Sequence, residues 1–91
     1  MHAVVVRVTI NDLETGRQFL TEQVVPRVKQ APGFVAGYWT SSANNDNGLS
    51  MIVFESEDAA RTVAQMIESQ VTQDEGVTFE STEVREVVAS A

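Results

Sequence analysis

Apolar and polar positions along this chain follow first a strand period and then a helix period. From His2 to Ile10 most residues are β-branched, which predicts a buried strand. Asn11 stands three residues before Glu14, a capping-box variant that predicts a helix start with Asn11 as the N-cap. An apolar stripe at close to helical spacing follows: Leu13, Leu20, Val24, Val28 and Ala31. These residues predict a strand followed by an amphipathic helix.

Proline and glycine then mark where the predicted helix bends and ends. Pro26 lacks a backbone donor and clashes with the preceding turn, so we expect a kink or a restart there. Gly33 can take the left-handed conformation that ends a helix. A second strand is predicted from Phe34 to Ser42, and the polar residues 43–48 predict a hairpin turn at the pair Asn47-Gly48.

The rest of the chain predicts a strand, a helix and a last strand. The third strand runs from Leu49 to Phe54, and Ser56 caps a second helix with acidic residues in its first turn. The buried face of that helix is predicted to hold Ala60, Val63, Ala64, Ile67 and Val71. Gly76 precedes a last strand from Val77 to about Val88. Its apolar alternation changes phase, so we expect a β-bulge near Ser81.

The predicted order β-α-β-β-α-β fits one domain over residues 1–91. Right-handed crossovers then give an α+β ferredoxin-like fold, with two helices on one face of an antiparallel four-stranded sheet. The other face would expose Val5, Leu49, Met51, Val53 and one of Tyr38 or Trp39. A patch of that size predicts a partner. The simplest partner is a second copy of the chain, packed sheet on sheet in a homodimer.

Composition and charge narrow the classes of function. Acidic residues outnumber basic ones by 13 to 6, giving a net charge of −7, and no basic cluster occurs, so we expect neither nucleic acid nor an anionic membrane surface as a partner. No apolar run reaches the roughly 20 residues of a membrane span, and no leader-like segment is apparent, so we expect a cytoplasmic protein. Cysteine is absent and the single histidine is His2, so we expect no metal and no cofactor.

Three stretches carry a resemblance to a known family: Val25-Pro26, the segment from Ala31 to Trp39, and the segment from Val53 to Ala60. With them the chain resembles the dimeric α/β-barrel superfamily, and within it the antibiotic biosynthesis monooxygenase-like family. The resemblance implies a dimeric barrel whose pocket, between helices and sheet, oxidises polycyclic phenols without metal or cofactor. Residues 59–70 contain no His, Trp, Tyr or Asn, so the haem ligand of haem-degrading members is unmatched and no catalytic residue transfers.

Four strand residues are the candidates for a ligand pocket: Arg7, Thr9, Tyr38 and Trp39. Tyr38 and Trp39 are adjacent in a strand and therefore face opposite ways, and either also fits a core or interface role. Arg7 lies in mid-strand and needs an anionic partner if it is covered. A ligand carboxylate or phenolate could supply one, and so could Glu55, Glu83 or Glu86.

Two functions remain open. One is a cofactor-independent monooxygenase that acts on a small apolar or aromatic metabolite, with the pocket stabilising a substrate phenolate. The other is a non-enzymatic dimer that binds a ligand or serves as a scaffold, which the lack of a convincing acid, base or nucleophile set supports. For either function, we predict the ligand site between the helices and the sheet, near Tyr38 or Trp39, rather than in the dimer seam.

Overall fold

The chain folds into a four-stranded antiparallel sheet with helices packed against one face. A computed structural model describes residues 1–70 and 76–91. The strands, which lie side by side in the order β2-β3-β1-β4, are β1 (His2–Ile10), β2 (Phe34–Ser41), β3 (Asn47–Phe54) and β4 (Val77–Glu86). This order and the antiparallel pairing are those of the ferredoxin-like fold, and they confirm the predicted fold class.

A helical run between β1 and β2 consists of three segments: α1 (Leu13–Phe19), a π-helical segment (Leu20–Val24) and α2 (Val25–Lys29). The Val25 amide donates to the Leu20 carbonyl, five residues back, which is the hydrogen bond of a π-helix. Pro26 stands at the start of α2, where its missing amide hydrogen breaks least of the hydrogen-bond ladder. The predicted restart at Pro26 is confirmed.

The N-cap of α1 is one residue later than predicted. Asp12 takes the extended cap conformation, and its carboxylate accepts a hydrogen bond from the Thr15 amide at 3.3 Å. The Asn11 side chain instead donates to the Thr78 hydroxyl at 2.8 Å, which joins the end of β1 to β4. The prediction of Asn11 as the N-cap was wrong. Asn and Asp are both suitable N-cap residues, and here the side chain of Asn11 bonds to Thr78 while that of Asp12 caps the helix.

The hairpin turn between β2 and β3 also lies earlier than predicted. Asn47 and Gly48 already belong to β3, and the left-handed residue of the turn is Asn45, with φ of 58°. The Ser42 hydroxyl organises the turn, because it donates to the Asp46 carboxylate at 2.8 Å and accepts from the Asp46 and Asn47 amides. The turn is therefore closed by side chains rather than by an Asn-Gly pair.

The second helix, α3 (Glu57–Gln70), begins as predicted, with the Ala59 amide donating to the Ser56 hydroxyl at 3.2 Å. Its predicted inner face is buried at Ala60, Val63 and Ala64 and half-buried at Ile67. Val71, which was also predicted there, lies outside the described residues. Facing α3 and α2, the sheet contributes the fully buried core residues Val4, Ile52 and Phe54, and α2 contributes Val28.

A β-bulge in β4 keeps both halves of that strand in register with the core. Arg7 pairs with Ser81 and Val8 pairs with Phe79, so Glu80 is the extra residue. Because of this shift, Phe79 on one side of the bulge and Val84 on the other both pack against the core. The bulge predicted near Ser81 is confirmed.

The sheet face away from the helices, here called the open face, carries no helix. Val5, which was predicted to be exposed there, is buried, because it lies on the inner strand β1 between Met51 of β3 and Glu83 of β4. Val53 is half-buried rather than exposed.

The β2–β3 half of the open face is apolar, and there Tyr38, Leu49 and Met51 are 65%, 37% and 46% exposed. Its β4 half is charged and carries Glu80, Glu83 and Arg85 in addition to Arg7. The face is therefore more polar than predicted, because β4 contributes three further charges beside Arg7.

Candidate functional site

A cavity of about 280 Å³ lies between the helical run and the sheet. Its floor is formed by inward-facing strand residues: Val6, Val8, Trp39, Gly48, Ser50 and Ile52. Its opposite wall is one side of the helical run, with Leu13, Arg17, Leu20, Gln23, Val24 and Arg27. Met66, Ile67 and Val77 border it as well. The cavity is therefore the gap between the two layers of the fold, and a ligand site in this gap stays a prediction.

Small side chains on the sheet account for the gap. The inward-facing residues of β3 are, in chain order, Gly48, Ser50, Ile52 and Phe54. The first two have small side chains, and the last two have large ones. A Cβ atom at Gly48 would lie 2.9 Å from the Val8 side chain, so even alanine is too large there without a shift. Gly48 is therefore closely covered by Val8, and the cavity lies above the sheet on the side of Gly48 and Ser50 rather than of Phe54.

Trp39 is the one tryptophan of the chain and borders the cavity from β2. Its ring lies across Gly37, because a Cβ atom there would be 2.8 Å from Cη2 and 3.0 Å from Cζ3 of the indole. Trp39 is half-buried and pairs across the sheet with Ser50. The glycine therefore sets how deep the indole lies, and the indole offers a flat apolar surface to the cavity.

The π-helical segment lies on the cavity wall. Leu20, Gln23 and Val24, three of its five residues, line the cavity. A π turn inserts an extra residue into an α-helix, so the side chains after the turn point in other directions than in a regular helix. Such turns occur often at functional sites. Here the turn combines with Pro26 to orient both α1 and α2 toward the cavity.

Few hydrogen-bonding groups of the floor are free for a ligand. The Thr40 hydroxyl donates to the Leu49 carbonyl at 2.7 Å, and the Ser41 hydroxyl donates to the Asn45 side chain at 3.0 Å. The Ser50 hydroxyl, which is half-buried, makes no hydrogen bond within residues 1–70 and 76–91. Ser50 is therefore the polar group that the floor presents to a bound molecule.

The charged side chains among the described lining residues are arginines. Two arginines, Arg17 and Arg27, line the cavity, and the described lining residues include no Asp, Glu or His. The carboxyl group of Glu57 lies at the start of α3, outside the cavity lining. The Arg61 guanidinium, 2.6 Å from the Glu57 carboxylate, lowers its pKa through a hydrogen bond and charge attraction.

The structure separates the four residues predicted for the ligand pocket. Trp39 borders the cavity, whereas Arg7, Thr9 and Tyr38 lie on the open face, on the other side of the sheet. The Thr9 hydroxyl donates to the Glu80 carboxylate at 2.6 Å. Arg7 is exposed and forms no salt bridge within the described part of the chain. None of the three glutamates considered as its partner, Glu55, Glu83 and Glu86, forms a salt bridge with it in the described part of the single chain, and Glu83 pairs with Arg85 at 2.9 Å.

Two lining residues were missed by the sequence analysis although the sequence contains a signal for each. Arg17 occupies a position of the apolar stripe between Leu13 and Leu20, where a core-facing helix carries an apolar residue. Ser50 occupies an inward position of β3, two residues before Ile52. In both cases the signal is a polar residue at a position where the helix or strand pattern predicts an apolar, core-facing residue.

The described residues form neither a metal-binding cluster nor a membrane-spanning helix. No group of three or more His, Asp or Glu side chains there could hold a metal ion. None of the helices in residues 1–70 and 76–91 is long and apolar enough to cross a membrane.

Comparison with known proteins shows similarity in structure but not in sequence. No family model and no curated protein matches the chain. The chain is similar to a dimeric ferredoxin-like protein from an uncultured marine organism, with 10% identity and a TM-score of 0.61 over 100% of this chain and 98% of that one. It is also similar to a monooxygenase, ActVA-Orf6 of Streptomyces coelicolor, in complex with nanaomycin D. That match has 15% identity and a TM-score of 0.59 over 99% of this chain and 92% of that one. At these identities the similarity shows a shared fold.

Proposed function

We propose that the chain binds one small, flat apolar or aromatic molecule in the cavity and oxidises it as a monooxygenase without metal or cofactor. The observation that carries the proposal is the apolar cavity bordered by the ring of Trp39. Its volume of about 280 Å³ is at the lower end of the roughly 300–1,000 Å³ found for ligand pockets, which fits a single small molecule. The fold shared with a monooxygenase that was solved with a bound ligand supports the same function.

The proposed reaction uses the electrons of the substrate. A phenol with a free para carbon would lose four electrons to dioxygen. One oxygen atom becomes the second carbonyl of a quinone, and the other leaves as water with the phenolic and ring hydrogens. The protein would contribute by excluding water and by stabilising negative charge that develops on the substrate. Arg17, Arg27 and the Ser50 hydroxyl are the lining groups able to stabilise such charge.

A cavity-filling variant tests the proposal. Ser50→Leu adds an apolar side chain to the low part of the floor, so it should abolish ligand binding and leave the fold intact. The matched control is Met51→Leu, a volume-conserving change of the next residue, which faces the opposite side of the sheet.

Binding is measured by calorimetry with a panel of naphthols and hydroxyquinones, and turnover by oxygen consumption with the same panel. We expect binding and oxygen uptake in the natural protein and in Met51→Leu, and loss of both in Ser50→Leu. Equal activity in Ser50→Leu would show that the cavity is not the site. No binding of any compound by the natural protein would remove the proposal.

A second candidate is a binding protein without catalysis. The observation that favours it is the absence of Asp, Glu, His and Tyr from the described lining residues, so those residues supply no conventional base to remove a phenolic proton. Binding in the calorimeter without any oxygen uptake would select this candidate over the monooxygenase.

We also propose that two copies of the chain pack together through their open faces. The exposed side chains of Tyr38 and Met51, paired across the sheet, and of Leu49 beside them support this. A similar structure is described as dimeric, which supports the same assembly. Light scattering should show a dimer for the natural protein and a folded monomer for Met51→Glu. Gln65→Glu, an exposed change on α3, is the control and should stay dimeric. A stable monomer of the natural protein would contradict the proposal.

A further inference from the structure

We infer that the ligand of the cavity is an anion, an aromatic carboxylate or phenolate whose charged group is held by Arg17. The inference rests on the proposed binding function and adds the charge and the orientation of the ligand. It depends on three features of the described residues: the sign of the charges around the cavity, the position of Arg17, and the position of Ser50.

The charged residues described in the cavity lining have the opposite sign to the net charge of the chain. The chain has 13 acidic and 6 basic residues, so most of its surface is expected to be negative. The described lining residues nevertheless include two arginines and no acidic side chain. A neutral apolar ligand would gain no electrostatic stabilisation from these arginines. An anion is attracted by the Arg17 guanidinium, and no carboxylate among the described lining residues repels it.

Arg17 occupies a position where packing alone would place an apolar residue. It lies on the cavity side of α1 with Leu13 one turn before it and Leu20 one turn after it. Its aliphatic part can cover apolar surface while the guanidinium reaches solvent at the cavity mouth, because the residue is exposed. Arg61 and Arg85 form salt bridges with Glu57 and Glu83, whereas Arg17 forms none within the described residues.

Ser50 gives the ligand a second polar contact on the opposite wall. Arg17 belongs to the helical wall and Ser50 to the sheet floor, with apolar residues such as Val8 and Leu20 between them. A guanidinium binds a carboxylate through two parallel hydrogen bonds, and a hydroxyl can donate to or accept from one oxygen. The arrangement therefore suits a flat apolar ring system with a negative group at the helical side and a hydroxyl or carbonyl toward the sheet.

Two probes of the same shape and different charge test the inference. Naphthoate and naphthamide differ in the charge of one substituent, and their binding is followed through the fluorescence of Trp39 and by calorimetry. We expect the natural protein to bind naphthoate more tightly than naphthamide. High salt should reduce this preference, because an exposed guanidinium is screened.

The Arg17→Gln variant should lower the affinity for naphthoate by about three- to fivefold, the effect of an ion pair at a partly exposed site, and leave naphthamide unchanged. Arg17→Lys, which keeps the charge without the planar fork, should retain part of the preference. The control is Arg61→Gln, which removes an arginine of α3 outside the cavity lining and should change neither affinity.

The outcomes separate this inference from the proposed function. If naphthoate and naphthamide bind the natural protein equally, or if Arg17→Gln keeps the preference, the cavity binds aromatic molecules but Arg17 does not recognise an anion. If neither compound binds the natural protein, the proposed binding function itself is wrong, and this inference is removed with it.

Discussion

Replacing Gly37 with alanine should separate the stability of the fold from the binding of a ligand. The new Cβ atom would lie 2.8 Å and 3.0 Å from two ring carbons of Trp39, whereas carbon atoms in contact are most stable at about 3.5–4.0 Å. The far end of the indole must therefore move by roughly 0.5–1 Å. Because Trp39 borders the cavity, we expect the ring to move into empty space rather than into the core.

Two opposing contributions set the change in the free energy of unfolding at Gly37. Crowding in a filled core costs about 1–3 kcal/mol, and the cost is lowest where a side chain can move away. Alanine in a strand is favoured over glycine by about 0.5–1 kcal/mol. We expect a net change within about 1 kcal/mol, or a shift in Tm of at most about 4–8 °C for a domain of this size. The displaced ring should weaken ligand binding about tenfold, as one intruding methyl group does in an apolar pocket.

Thermal unfolding followed by circular dichroism measures the stability, and titration of Trp39 fluorescence measures the affinity. The matched control is Val63→Ala on α3, which is buried but does not line the cavity. It should lower the free energy of unfolding by about 1–3 kcal/mol and leave the affinity unchanged. The reasoning is refuted if Gly37→Ala binds as tightly as the natural protein, or if it loses more stability than Val63→Ala.

Three further changes have expected outcomes. Phe54→Ala removes the largest fully buried side chain and should lower the free energy of unfolding by about 3–5 kcal/mol in urea titrations; a loss below about 1 kcal/mol would contradict the described core. Asp12→Ala removes the N-cap acceptor of α1 and should cost about 1 kcal/mol by the same measurement, and no loss would return the cap role to Asn11. Arg61→Gln should raise the pKa of Glu57 toward its usual value in an NMR titration. Because that pKa is lowered in the folded state, the ion pair stabilises the fold above the usual pKa of a glutamate, and the stabilisation is lost as pH falls through the lowered value. An unchanged Glu57 titration curve would contradict the contact.

The sequence was sufficient for the strands, the helices and the faces they bury, because these depend on local periodicity. The alternation of β1 and β3 and the stripe of the first helix each appear within ten to twenty residues, roughly the window in which such patterns are recognisable. The restart at Pro26 and the bulge near Ser81 were also predictable. One follows from the missing donor of proline, and the other from a change of phase within a single strand.

Features that depend on contacts between distant segments were not predictable. Asn11 and Asp12 are equally suited to cap a helix, and the choice depends on Thr78, more than sixty residues away. The cavity exists because Gly48 and Ser50 on one layer lie opposite the helical run on the other. Neither stretch shows this on its own. Arg17 could have been singled out as a charge in an apolar stripe, but only the structure shows that the stripe borders a gap.

The alternation of β2 has a consequence for how this protein can change over evolution. Tyr38 and Trp39 are neighbours in the chain but lie on opposite faces of the sheet, and Met51 and Ser50 are their respective partners on β3. A substitution that alters the cavity therefore leaves the open face intact, and the reverse is also true. Descendants of such a sequence can change the shape of the cavity without changing the open face. Mutational libraries can exploit the same separation by varying odd and even positions of β2 independently from Ala36 onward, past the register shift after Phe34.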